Sequence, residues 1–106
     1  MDAHKKSRLT ATGYSIGDAR EFLGLTDAEQ FVVELRLRLS QQLRQRRVAA
    51  NLTQTAIAKR LGSSQSRVAK MEAADSSVSL ELLISGLMAT GADRREVAAV
   101  MADRLK

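Results

Sequence analysis

Apolar residues recur along this chain with the spacing of helices. Val32, Leu35, Leu39 and Leu43 stand at i, i+3, i+7 and i+11, a stripe on one face of a long helix, and Phe31 and Leu37 widen it. Ile57 and Leu61 lie four apart, and Val68 and Met71 three apart, on two shorter elements. Leu80, Leu83, Ile84, Leu87 and Met88 then form a full apolar face, with Leu82 off it. Val97, Val100, Met101 and Leu105 share one face of a last element. The pattern predicts an all-α fold of five main helices.

Polar punctuation agrees with these boundaries. Thr26 and Glu29 make a T-x-x-E capping box at the start of the long helix, and Asp93 and Glu96 make a D-x-x-E box at the start of the last. Thr53, Ser63 or Ser64, and Ser79 are placed to cap the helices between. Asn51, Gly62 and Gly91 sit where those helices must stop, and Gly62 and Asn51 suit a left-handed backbone. Ala74-Asp75-Ser76-Ser77 reads as a loop.

Ahead of the long helix, residues 1–12 are polar, basic and without period, and read as a flexible N-terminus. Residues 14–25 predict a short helical extension carrying Ala19, Phe22 and Leu23, ended by Gly24. Tyr14 and Phe22 either cover one side of the core or offer a docking surface. Residues 13–106 form one domain on this reading, and its last helix, 93–105, either completes the core or pairs with a second subunit, with dimerisation favoured.

Composition narrows the classes of function. The chain has 106 residues, enough to bury roughly two-thirds of its unfolded surface in one core. Aromatic residues are 3% of the chain and there is no Pro, so the core is aliphatic and helical. There is no Cys and one His, His4, which excludes a disulfide framework, a thiolate metal site and any metal site built on histidine pairs. No apolar run approaches a membrane span, and no secretory signal is visible, so the expected place is the cytoplasm. Nucleophile–base pairs and glycine-rich phosphate loops are absent, so an enzyme and a cofactor are not expected. The net charge is +5, unevenly placed. Residues 31–72 hold nine Lys or Arg against two Glu, while the remainder holds eight against ten acidic residues. Such a concentration is the footprint of a nucleic-acid binder.

The segment from Gln54 to Ala73, QTAIAKRLGSSQSRVAKMEA, gathers these signals into two short helices around a glycine turn. Leu52-Thr53-Gln54, Ala58 to Gly62 and Gln65 to Glu72 closely resemble the signature of the Xre/Cro/CI-like helix-turn-helix family. The turn residue after the glycine, usually apolar there, is Ser63. The resemblance implies a five-helix lambda-repressor-like DNA-binding domain whose second motif helix enters the major groove. Its outward positions are Ser64, Gln65, Ser66, Arg67, Ala69 and Lys70, with Val68 and Met71 turned inward.

On that footing Ser64, Gln65, Ser66, Arg67 and Lys70 are the expected base-reading residues. Gln65 leads, because a carboxamide donates and accepts at once and matches adenine N6 and N7. Thr53, Gln54, Arg44 and Arg47 are the expected phosphate contacts. Arg44, Arg46 and Arg47 have an equal alternative, stabilising the C-terminal end of their own helix. The partner is then double-stranded DNA with a pseudo-palindromic operator, bound by a homodimer.

Residues 14–91 also resemble HigA-type antitoxins, in their FLGL segment, long first helix, LTQ motif and SLELLISGLMATGA helix. That resemblance implies a RelE-like toxin partner and repression of the protein's own operon. A stand-alone repressor, and a helical interaction module that does not read DNA, are the alternatives.

Overall fold

The computed structural model describes residue 24 and residues 26–103, and every described element is helical. Helix α1 is Asp27–Ala49, α2 Gln54–Leu61, α3 Gln65–Glu72, α4 Leu80–Ala89 and α5 Arg94–Ala102. The expected flexible N-terminus, the expected N-terminal extension apart from Gly24, and Leu105 lie outside the described residues. The chain divides after Leu35 into two compact units, and α2 to α5 lie in the second with the remainder of α1.

The first unit contributes the start of α1. Thr26 and Glu29 cap it reciprocally: the Thr26 N–H donates to Glu29 Oε1 at 3.0 Å, and the Glu29 N–H donates to Thr26 Oγ1 at 3.1 Å. The expected stripe is buried from Leu35 onward. Phe31 and Val32 are exposed instead. Val32 shares the face of Leu39, so position along the axis rather than face sets it apart.

In the second unit each helix starts on a side-chain cap. Thr53 accepts from the Ala56 N–H, Ser64 from Arg67, Ser79 from Leu82 and Asp93 from Glu96, the last as a full capping box. Three helices end in the same way. At Asn51, Gly62 and Ala74 the backbone turns left-handed, with φ of 58°, 64° and 55°. At each, the next residue's N–H reaches back five residues: Leu52 to Arg47, Ser63 to Ala58, Asp75 to Lys70. Ser63 serves this stop and Ser64 alone caps α3.

The core of this unit is aliphatic. Leu39, Leu43, Ile57, Val68, Met71, Leu83 and Leu87 are fully buried, with Ala58 and Val78 almost so. Helices α2, α3 and α4 pack on one another, and α5 packs on α4. Gly86 permits a close crossing, because a Cβ there would meet the side chains of Met71 and Leu43. Val97 and Val100 of α5 are buried within the single chain. Met88 is the exception on α4. At about 100° per residue it lies about 140° round from Leu83 and about 100° from Leu87, and it is exposed.

The arginines of α1 close the unit. Arg38 is buried; its Nε donates to the Val100 carbonyl at 3.0 Å and its Nη2 to the Met101 carbonyl at 2.9 Å. These are end carbonyls of α5, where a cation also meets the helix dipole. Arg46 pairs with Glu96 at the other end of α5 at 2.5 Å. Arg36 donates to the Val78 carbonyl before α4.

Candidate nucleic-acid interface

Helix α3 is short and two-faced. Val68 and Met71 anchor it in the core, which turns Gln65, Ser66, Arg67 and Lys70 outward. All four are exposed, as is Ser64 at the cap, while Ala69 is half-buried. Ser64 Oγ accepts from the Arg67 N–H at 3.2 Å and lies 3.2 Å from Ser66 Oγ. The exposed row therefore begins at the N-terminal end of α3, where free N–H groups favour acceptors and anions.

Beside that end stands the start of α2. Gln65 Nε2 donates to Gln54 Oε1 at 2.6 Å, and Gln54 Nε2 donates to Glu72 Oε1 at 3.1 Å. Arg47 completes the line. Its Nε donates to Glu72 Oε2 at 2.5 Å, its Nη2 to Glu72 Oε1 at 3.0 Å, and its Nη1 to the Leu52 carbonyl at 3.0 Å. The fork-to-fork pairing of a planar guanidinium with a carboxylate fixes both groups. Its hydrogen bonds to the Glu72 carboxylate raise the Arg47 pKa still further above its already high ordinary value. Arg44, Arg47, Gln54, Ala69, Glu72 and Ala73 together line a polar recess of about 290 Å³ beside α3.

These contacts sort the residues singled out in the sequence. Ser64, Gln65, Ser66, Arg67 and Lys70 come together on one exposed surface. Gln54 joins them through its amide. Thr53 is exposed, and its Oγ1 is engaged by the Ala56 N–H at 3.0 Å, which leaves its hydroxyl proton to donate elsewhere. Arg44 is exposed on α1. Arg47 and Arg46 each have a carboxylate partner within the fold. The basic run of α1 is thus spent largely inside the molecule. The exposed basic residues around α2 and α3 are Arg44, Lys59, Arg60, Arg67 and Lys70, and Arg60 also donates to the Ala89 carbonyl at 2.7 Å.

Two short helices at a glycine turn, the second with its inner face buried and its outer face polar, match a known family over residues 38–100, more than half of the chain. The chain belongs to the helix-turn-helix domain family. No curated protein and no solved structure matches it. Membership points to a DNA-binding regulator. Among the described residues no cluster of three or more His, Cys, Asp or Glu can hold a metal, and no helix is long and apolar enough to cross a membrane.

Reading the sequence missed one member of this helix-turn-helix site. Glu72 stood out only as the end of the motif, yet it joins Arg47 and Gln54 and is 5% exposed. The signal was present: Glu72 is one of only two acids in a basic stretch and lies one residue beyond the inward Met71. A lone acid there needs a basic partner when buried.

Proposed function

We propose that the protein is a sequence-specific transcriptional repressor of the Xre/Cro/CI-like kind, which lays α3 in the major groove of its operator. The carrying observation is the exposed row Gln65, Ser66, Arg67 and Lys70 on a helix whose opposite face is fully buried. Gln65 reads adenine through its carboxamide, Lys70 and Arg67 reach guanine or phosphate, and Ser64 and Ser66 add hydroxyl contacts. Thr53, Gln54 and Arg44 hold flanking phosphates at the start of α2 and the end of α1, and Arg47 supports Gln54 beside them. Repression follows from occupancy of a promoter, without chemistry. A homodimer reads two half-sites about 10 bp apart, or a multiple of that. Val97 and Val100 of α5 are buried in their own chain, so a second copy that meets α5 uses its other residues.

An unbiased DNA selection with purified protein, repeated across a salt series, tests this. The expected result is a palindromic site whose affinity falls with salt. The five exposed basic residues around α2 and α3 give a slope of about −4.5 per subunit in a double-logarithmic plot if each meets a phosphate, at about −0.9 per phosphate. A flat selection would sink the reading and favour a helical interaction module. The antitoxin reading adds a toxin partner through the similarity of residues 14–91 to HigA-type proteins. Co-purification with the product of a small neighbouring RelE-like reading frame is its test, and a repressor that binds its operator with no such partner stands alone.

A further inference from the structure

We infer that Glu72 is a positioning residue for base recognition: through Gln54 it sets which end of the Gln65 carboxamide meets which atom of a base. The argument rests on the DNA-reading role of α3 and follows from donor and acceptor chemistry. An ionised carboxylate only accepts hydrogen bonds. Both Glu72 oxygens accept from Arg47, and Oε1 also accepts from Gln54, so the NH2 end of the Gln54 amide is held toward Glu72. Its carbonyl end therefore faces Gln65, 2.6 Å away. That carbonyl also only accepts, so Gln65 must turn its own NH2 end inward.

One polarity thus passes from a nearly buried acid, 5% exposed, to an exposed side chain at the front of α3. Gln65 keeps a second N–H and its carbonyl oxygen in a fixed order. Adenine offers N7 as acceptor and N6 as donor in a fixed order as well. A reversed Gln65 amide would set two carbonyl oxygens against each other at Gln54 and present its groups in the opposite order. The line Arg47–Glu72–Gln54–Gln65 therefore discriminates between a base pair and its inversion, although Glu72 touches no base.

The test compares DNA selections of the full chain and four variants. Gln65→Ala first marks the base pair that Gln65 reads. Gln54→Met cuts the line while leaving the Arg47–Glu72 pair in place. Glu72→Gln keeps the shape but supplies an amide that can donate or accept. Both are expected to reduce the preference at that one base pair about tenfold and to leave the other positions unchanged. The double variant should reduce it no further, because the two changes act on one line. A loss of affinity spread evenly over all positions, with the preference at the marked pair intact, would overturn the inference while leaving the repressor reading standing. A flat selection by the unaltered protein would overturn both. Should Glu72→Gln fail to fold, Glu72→Asp, which keeps the charge but draws the carboxylate back from Gln54, takes its place, with the same loss expected at the marked pair.

Discussion

A Cβ added to Gly86 would stand 2.4 Å from the methyl carbon of Met71 and 3.3 Å from Cδ2 of Leu43. Gly86 is therefore the point at which α4 crosses the inner face of α3. Alanine gains about 1 kcal/mol of helix propensity over glycine there, but overpacking a closed core costs about 1–3 kcal/mol. Gly86→Ala is expected to lose about 1 kcal/mol net. In a Met71→Val background the obstructing methyl is gone, and the same change should become neutral or stabilising. A double-mutant cycle by urea denaturation measures the coupling.

Arg38 holds two carbonyls of α5 from a buried position on α1. Hydrogen bonds from a charged donor contribute about 1.5–3 kcal/mol. Arg38→Met is expected to lower stability by about 2–4 kcal/mol and to speed amide exchange in α5 before α2 and α3. Arg38→Lys should recover less than half, because one ammonium lacks the fork that spans both oxygens. Exchange uniform over all helices would contradict a role centred on α5.

Ala74 occupies a left-handed stop with φ 55°, where a Cβ crowds the following carbonyl. Ala74→Gly is expected to add about 1 kcal/mol of stability. Gly62→Ala, at φ 64°, should lose a similar amount. Asn51→Gly should gain less, because Asn tolerates this region better than Ala. Denaturation midpoints of the three variants test the ranking.

Two acids at the surface, Glu29 exposed and Asp75 half-buried, carry a pH signature. Asp75 is held below the usual carboxylate range by hydrogen bonds from the Ser77 hydroxyl, at 2.6 Å, and from its N–H, at 2.8 Å. Glu29 is lowered by the Thr26 backbone N–H and then its hydroxyl. With the folded pKa depressed, the stabilisation is present above the unfolded pKa and is lost as pH falls through the folded one. The loop before α4 and the start of α1 should therefore loosen first on acidification. Carboxyl NMR titration should find both groups low, and Ser77→Ala should bring Asp75 part of the way back toward its ordinary range, because the backbone N–H bond remains, while leaving Glu29 unmoved.

The helices were legible in the sequence because their determinants are local. Thr53, Ser64, Ser79 and Asp93 each accept from an N–H three residues on, so a short window contains both partners. The outward row of α3 was legible for the same reason, since Val68 and Met71 set its phase. The arginines of α1 were not. Arg44, Arg46 and Arg47 suggested either phosphates or their own helix end, but Arg46 and Arg47, like Arg38, find partners on other helices, 25 or more residues away in sequence. Spacing along one helix carries no record of such pairings. Gln54 was visible as the opener of α2, whereas its place between Glu72 and Gln65 required the two helices to be brought together.

The clasp of Arg38 on Val100 spans 62 residues of sequence. During synthesis α1 leaves the ribosome long before the carbonyls that accept its guanidinium exist. Helices α2, α3 and α4 carry their own caps and can form as they emerge, but Arg38 stays hydrated until α5 arrives. A nascent chain halted before Val100 therefore holds α3 in a body that has not shut. The last helix acts as the latch, and the body stays open until its end carbonyls reach Arg38.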